Sequence, residues 1–404
     1  MNRLLILGGL FVLLAFLAAP GYPQTRARDL GVPFPGTPGP NNAITDVGGV
    51  EVGHVTLIEG EGKLVPGEGP VRTGVTAIHP RGNDSISPVF GAWFTLNASG
   101  EMTGTTWLEE RGLIDGPILI TNTHSVGVVR DAAVAWMVDN GWPALWHAPV
   151  VAETYDGGFN DINGFHVTKG HALTALAEAS AGPVEEGAVG GGTGMLCNGF
   201  KGGIGTSSRR VAVDEATYTV GVLVQCNYGW RDSLTQIAGV SVRELQHTHL
   251  PCYSDPTIEG QFAEFFGYCD DNSSKAARGQ DGSIIIVVAT DAPLLPHQLR
   301  RLAKRPSLGI GRLGGVSGDG SGDIFIAFST AHDGKLSEDA PSTDLTMHPN
   351  NTLTPLFRAA IEATEEAIVN AMVAAKTMTG ADGLLFPELP EDKLREIMYA
   401  AREQ

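Results

Sequence analysis

Ser283 lies at the boundary between a polar segment and a run of apolar residues. From Asn272 through Gly282 the chain is polar, charged and glycine-bearing, whereas residues 284–289 are all apolar and predict a buried strand. A serine hydroxyl needs a base to act as a nucleophile, and no neighbouring side chain offers one. The α-amine of Ser283 itself would serve if the Gly282–Ser283 bond were cut, because a free α-amine has a pKa of about 7.7–8.0. On these residues alone, an ordinary serine at the start of a strand remains the simpler interpretation.

Three other patterns suggest chemistry and are disfavoured. The glycine-rich run 187–209 contains no GxxxxGK[ST] phosphate loop, so close backbone approach and sharp turns explain its glycines better. His247, His249 and Cys252 are zinc-ligand types, but Cys252 has a competing partner in Cys269. The sequence GVSGDGSGD does not fit the GxSxG frame of a nucleophile elbow. The expectation is therefore an enzyme without metal or cofactor.

Composition limits the class of protein. With 404 residues, 42% of them hydrophobic, the chain can bury a large core in one or two domains. A formal net charge of −18 argues against nucleic acid and anionic membranes as partners, since both require a basic face. Cys197 and Cys226 lie in apolar or glycine-rich surroundings and are expected to be small core residues.

Residues 1–21 have the pattern of a secretory signal peptide. Arg3 provides the positive start, residues 4–17 the apolar run, and small residues follow at the expected cleavage point. An uncleaved anchor is the alternative, because the cleavage pattern is imperfect. Export predicts a secreted or periplasmic protein in an oxidising compartment, where Cys252 and Cys269 could pair.

Sequence patterns typical of strands and helices alternate along the chain, and the elements they predict must position these residues. A proline-rich lead-in, 22–42, precedes the first strands, which start near Ile44. Residues 241–282 carry turn formers without clear periodicity and are interpreted as a surface excursion. The remaining patterns predict helices at 128–141, 171–182, near 296–305 and from Thr354 to Gly380, strands at 217–227 and 324–330, and a glycine loop at 308–322. Clustered strands with helices between them predict an α+β layered architecture.

Several segments between Asn42 and Leu389, which occur in the same order as in a known family, carry a resemblance to it. They are RTGVTAI (72–78), GEMTGT (100–105), ITNTHSVG (120–127), VVAETYDGGFNDING (150–164), GGTGMLCNGFKGGIGTSSR (191–209), VGVLVQCNYG (220–229), GSIIIVVATDAPLLPHQL (282–299) and SGDIFIAFST (321–330). On these segments the chain resembles the DmpA/BapA group of serine aminopeptidases, which are N-terminal-nucleophile hydrolases. The related fold of ornithine acetyltransferases would carry a threonine nucleophile, which Ser283 disfavours.

The resemblance implies a four-layered αββα precursor that cuts itself before its nucleophile. Residues 43–404 would form a single catalytic domain, cleaved into an α chain ending at Gly282 and a β chain of 283–404. Such an enzyme would hydrolyse the first amide or ester bond of small peptides, amino-acid amides or esters, and would assemble as a homo-oligomer, with a tetramer suspected. An unprocessed binding protein on the same scaffold is the alternative function.

The resemblance also assigns roles to individual residues. Ser283 corresponds to the nucleophile and Asn227 to the oxyanion-stabilising amide. Ser321 and Asp323 fall where the family keeps groups that hydrogen-bond the nucleophile's amine. Tyr155 matches a tyrosine that lines the site, and Glu153 a carboxylate able to pair with the free ammonium of the substrate. The preference for α-, β- or D-amino-acid substrates is left open at this stage.

Overall fold

In a computed structural model, residues 24–269, 282–336 and 342–403 are described; the predicted signal peptide lies outside them. None of the helices in these three segments is long and apolar enough to cross a membrane. The strands in chain order are β1 (Glu51–Glu59), β2 (Val71–His79), β3 (Val89–Ala98), β4 (Leu113–Ile114), β5 (Ile118–Asn122), β6 (Val150–Thr154), β7 (Leu196–Cys197), β8 (Phe200–Lys201), β9 (Gly203–Val213), β10 (Ala216–Asn227), β11 (Gln236–Ile237), β12 (Val240–Ser241), β13 (Cys252–Tyr253), β14 (Ser283–Thr290), β15 (Gly322–Ser329), β16 (Met378–Thr379) and β17 (Leu384–Phe386). The helices are α1 (Thr105–Arg111), α2 (Val126–Asp139), α3 (Lys169–Ala177), α4 (Ala263–Phe266), α5 (Pro296–Ala303), α6 (Pro306–Arg312), α7 (Thr354–Ala374) and α8 (Glu391–Arg402).

Two sheets form the centre of the protein. One has six strands in the order β4-β3-β15-β14-β10-β9, and the other has four in the order β1-β2-β5-β6. One core cluster, which includes Ile285 and Ile120, fills the space between the sheets. A second cluster joins the six-stranded sheet to α5, α6 and α7, and a third joins the four-stranded sheet to α2 and α3. The predicted αββα order of layers is therefore confirmed.

The strand behind Ser283 lies at the centre of the larger sheet. All eight residues of β14 are buried, as a run of β-branched residues between two covered faces requires. This strand pairs antiparallel with β10 and parallel with β15. The predicted strand is thus confirmed, and it holds Ser283 between two neighbouring strands.

Several local predictions differ from the structure. The helix expected to run to Gly380 ends at Ala374, because Met378 and Thr379 extend to pair with β17. The first part of the glycine loop expected at 308–322 is helical as far as Arg312. It belongs to α6, in which Pro306 occupies the first turn. The excursion at 241–282 is described as far as Cys269 and again at Gly282. Its described part contains short elements, and the strand β13 joins a three-stranded sheet with β17 and β16.

The four cysteines form two disulfides. Cys252 pairs with Cys269, the pairing that the sequence left open. Cys197 and Cys226, expected to be small core residues, pair with each other, and this second disulfide was not predicted. Their burial was anticipated correctly, since both are fully buried. Cys197 lies in β7 and Cys226 in β10, and a sequence separation of 29 residues gave no local signal for the pairing.

Candidate active site

Ser283 and Asn227 lie directly opposite each other at the ends of β14 and β10. Ile284 and Cys226, the neighbours of these two residues, face the helical layer, so Ser283 and Asn227 project toward the space between the sheets. Ser283 is only 7% exposed, and its Oγ accepts a hydrogen bond from the Gly322 N–H at 3.1 Å. The antiparallel register therefore places a serine hydroxyl beside an amide side chain.

Gly282 packs tightly against the end of β10. A Cβ at this position would lie 1.7 Å from the carbonyl oxygen of Asn227, so the observed backbone path requires glycine. The Gly282 carbonyl oxygen lies 2.6 Å from the hydroxyl of Ser321. This carbonyl belongs to the peptide bond that precedes Ser283, which is uncut in the structure.

Ser321 and Asp323 are brought to this bond by β15. Ile284 of β14 is in register with Asp323, and the Ser321 Oγ lies 2.6 Å from Asp323 Oδ1. Both residues are buried, Asp323 fully. The resemblance implied hydrogen bonds from these groups to the amine of Ser283. In the structure the Ser321 hydroxyl contacts the Gly282 carbonyl and Asp323.

Two hydrogen bonds orient the amide of Asn227. Its Oδ1 accepts from the Leu196 N–H at 3.0 Å, and its Nδ2 donates to the Tyr155 carbonyl oxygen at 3.0 Å. An amide nitrogen carries two hydrogens, so a second donor remains for a group in the cavity. The orientation is suited to stabilising a developing oxyanion.

Glu153 is a buried carboxylate at the end of β6. It accepts hydrogen bonds from the Glu101 N–H at 2.9 Å and from the Thr123 hydroxyl. Burial raises the pKa of Glu153 above its ordinary value, against the lowering effect of these hydrogen bonds. A carboxylate in this setting can pair with a cation that enters the cavity.

A single cavity of about 780 Å³ brings most of these groups together. Its walls include Gly282, Ser283, Asn227, Glu153 and Tyr155, whereas Ser321 and Asp323 lie behind the wall. The Tyr155 side chain lines the cavity, as the resemblance implied, and is 41% exposed.

An aromatic wall of this cavity was missed by sequence reasoning. It combines three residues of the excursion, Phe262, Phe265 and Phe266, with Phe159 and Phe386. The Phe159 and Phe386 rings stack with centroids 4.1 Å apart, and Phe266 meets Phe386 edge-on. The only signal for it in the sequence was the three phenylalanines within residues 262–266.

Asp156 is a second carboxyl group that the sequence did not single out. It lines the cavity, is 2% exposed and accepts from the Asn160 side chain at 3.1 Å. Burial raises the pKa of Asp156 to about 7. The group therefore changes charge near neutral pH.

The fold and this constellation define a hydrolase of the N-terminal-nucleophile class. The L-aminopeptidase D-Ala-esterase/amidase from Ochrobactrum anthropi, described as a prototype serine aminopeptidase and a variant of the Ntn hydrolase fold, superposes with a TM-score of 0.82. It is 45% identical and covers 93% of this chain and 99% of its own. A Burkholderia sp. beta-aminopeptidase superposes with a TM-score of 0.79 at 46% identity, with the same coverage.

Residues 42–385 match the model of peptidase family S58, and the chain belongs to this family. The protein is accordingly an aminopeptidase that uses an N-terminal serine nucleophile. A beta-peptidyl aminopeptidase, BapA, from Sphingosinicella microcystinivorans is 58% identical over 378 residues, which cover 93% of this chain and 92% of that protein.

Proposed function

We propose that the protein is an exported, self-processing β-peptidyl aminopeptidase with Ser283 as its nucleophile. The observation that carries this proposal is the arrangement around one peptide bond. The Ser283 hydroxyl, the Asn227 amide and the Ser321 hydroxyl lie around the Gly282–Ser283 bond, and Gly282, Ser283 and Asn227 line a single cavity. These are the groups that both self-cleavage and substrate hydrolysis require.

Self-cleavage begins with attack of Ser283 Oγ on the carbonyl carbon of Gly282. The bond to the Ser283 nitrogen breaks, an ester forms, and the hydroxyl proton ends on that nitrogen. Water then hydrolyses the ester, which releases the Gly282 carboxylate and leaves Ser283 with a free α-amine. The Ser321 hydroxyl, 2.6 Å from the Gly282 oxygen, supplies a donor to the oxyanion of the first step.

Substrate turnover uses the new amine as the general base. The amine removes the hydroxyl proton, Oγ attacks the substrate carbonyl, and the remaining N–H of Asn227 stabilises the oxyanion. The amine then returns its proton to the leaving group, and water hydrolyses the acyl-enzyme. Ser321 and Asp323 lie next to the residue that bears this amine.

Glu153 and the aromatic wall support a substrate with a free N-terminal amine and an apolar side chain. The Glu153 carboxylate would pair with the ammonium of the substrate, while Phe159, Phe262 and Phe265 offer apolar surface in the same cavity.

The β-peptidyl preference is transferred from the Sphingosinicella relative. The kcat/KM values for matched dipeptides with an α- or a β-amino acid first would decide it, and Phe262→Ala should penalise a bulky apolar first residue most.

Two disulfides support export to an oxidising compartment. The apolar N-terminal run would direct the chain there as a signal peptide, with a secreted or periplasmic product. The processed αβ units are proposed to form a homo-oligomer, with a tetramer as the state to test by light scattering.

Intact-mass measurement of the purified protein tests the central claim. The expected result is two associated chains, the smaller beginning Ser-Ile-Ile, whereas Ser283→Ala should stay full length and inactive. Ser317→Ala, a change at a serine of the nearby loop, is the matched control and should process normally. A single active chain, or a cleaved Ser283→Ala protein, would overturn self-cleavage by Ser283. A single inactive chain would likewise overturn the proposed self-processing.

A further inference from the structure

The Cys197–Cys226 disulfide lies next to the proposed oxyanion donor. Cys226 directly precedes Asn227, and Cys197 directly follows Leu196, whose N–H donates to Asn227 Oδ1. The covalent bond therefore joins the same two segments that the hydrogen bond to the Asn227 amide joins. Both half-cystines are fully buried, so the link is part of the molecule's interior.

The hairpin that carries Leu196 has a very short ladder. It consists of β7 and β8, each two residues long, with only two register pairs between them. So short a ladder is not stable by itself and depends on its attachments. Near Leu196 these attachments include the disulfide and a hydrogen bond from the Asn198 N–H to the Tyr228 carbonyl at 2.7 Å. On the far side of the hairpin turn, the Arg231 side chain donates to the Asn198 and Gly199 carbonyls, and the Lys201 N–H donates to the Pro387 carbonyl at 2.7 Å.

The orientation of the Asn227 amide decides whether it helps or hinders the reaction. With Oδ1 held by the Leu196 N–H, the Nδ2 hydrogens face the Tyr155 carbonyl and the cavity. An amide released from Leu196 can rotate and present its oxygen to the developing oxyanion, which is repulsive. Displacements of about 1 Å in such a group lower rates by up to about 10²-fold.

We propose that the Cys197–Cys226 disulfide is a positioning element that holds the Leu196 N–H against Asn227 and so keeps the oxyanion donor aligned. The inference rests on the proposed role of Asn227. It gives this disulfide a function in the chemical step, distinct from that of Cys252–Cys269, which lies in the excursion beside the aromatic wall. Reduction by a dithiol would form two protein thiols and one oxidised reagent, and would loosen the amide without removing it.

Paired double variants test the proposal. Cys197→Ala/Cys226→Ala should lower kcat at least about tenfold with KM within about twofold, and should slow self-cleavage. Cys252→Ala/Cys269→Ala, which removes the other disulfide, should keep kcat within about twofold. Equal kcat losses in the two double variants, or no kcat loss in the first, would overturn the proposal.

A second measurement avoids dependence on folding of the first variant. Processed Cys252→Ala/Cys269→Ala enzyme is treated with dithiothreitol, and reduction of Cys197–Cys226 is followed by thiol titration while circular dichroism reports the fold. A folded, fully reduced enzyme with lowered kcat that oxidised glutathione restores would support the proposal. A folded, fully reduced enzyme with unchanged kcat, or one that loses activity only by unfolding, would overturn it.

The Asn227→Ala variant separates this inference from the proposed function. If Asn227→Ala leaves kcat unchanged, the proposed oxyanion role itself fails. If Asn227→Ala lowers kcat but loss of the Cys197–Cys226 disulfide does not, only the positioning role fails.

Discussion

The Ser321 hydroxyl and the Gly282 carbonyl oxygen lie 2.6 Å apart, although 39 residues separate them in sequence. The same hydroxyl lies 2.6 Å from Asp323 Oδ1, and its single hydrogen can serve only one of the two acceptors at a time. Ser321 therefore contacts the peptide bond that precedes Ser283, and Asp323 lies next to Ser321, in register with Ile284. This contact gives Ser321, which lies behind the cavity wall, a role to test in the proposed self-cleavage.

Ser321→Ala should slow self-cleavage, because the Gly282 oxygen loses a donor as it becomes an oxyanion. The expected loss in rate is about 10²–10³-fold, the usual effect of removing one oxyanion donor. The half-life of the full-length chain after expression, followed by intact mass, measures it. Normal processing of Ser321→Ala would exclude Ser321 from this step.

Asn227→Asp should lower kcat for substrates by about 10²–10³-fold. Aspartate keeps the Oδ1 that accepts from Leu196 but replaces the Nδ2 donor with an oxygen. The variant therefore isolates the donor from the shape of the side chain. Steady-state kinetics on processed enzyme give the answer, and wild-type kcat in Asn227→Asp would remove the amide from the mechanism.

An alanine added before Ser283 should abolish activity even though the serine hydroxyl remains. The α and β chains are expressed in the same cell as two separate polypeptides, with the extra alanine at the start of the smaller one. In this variant the nitrogen of Ser283 is part of an amide and cannot accept a proton, whereas the free amine of the normal chain can. Activity above a few per cent of that of the unextended pair would show that the α-amine is not the base.

The KM for substrates with a free amine should rise as the pH falls through the pKa of Glu153. Burial raises that pKa, so the loss of the carboxylate begins at a higher pH than for an exposed glutamate. Glu153→Gln should have a high KM that no longer changes with pH in this range. An N-acetylated substrate is the control, since it has no ammonium and should show no Glu153-dependent change.

Asp156→Asn should stabilise the protein increasingly as the pH rises from about 4 to about 7. The folded state keeps the Asp156 proton up to a pKa of about 7, whereas the unfolded chain gives it up near its ordinary value of 3.8. The contribution of Asp156 to the free energy of unfolding of the wild type therefore falls with pH over this window, by as much as about 4 kcal/mol. Buried Lys201, with its pKa lowered to about 7, is common to both proteins and cancels in the comparison.

Thermal unfolding of Ser283→Ala and Ser283→Ala/Asp156→Asn at pH 4.5 and pH 7.5 measures the difference on uncut chains. A stability difference that does not change between the two pH values would show that Asp156 does not titrate in this window.

The local pattern was enough to predict the strand that follows Ser283, because a short run of β-branched Ile and Val between turn residues favours a buried strand. The local pattern also predicted helices near those observed. The motif segments shared with the family led to the family itself and to its αββα order of layers. Helix ends were less predictable, as the end of α7 shows, because the partner strand β17 determines where the chain leaves the helix.

The sequence by itself determined the family, and through that resemblance it indicated the candidate site residues Ser283, Asn227, Ser321, Asp323 and Glu153. Only the tertiary structure decided how they meet. The register of β10 on β14 places Asn227 opposite Ser283, the Cys197–Cys226 pairing joins distant segments, and α4 brings its phenylalanines to Phe159 and Phe386. The physical reason is that burial and periodicity are local properties of a chain, whereas strand register, disulfide pairing and cavity walls depend on the packing of segments far apart in sequence.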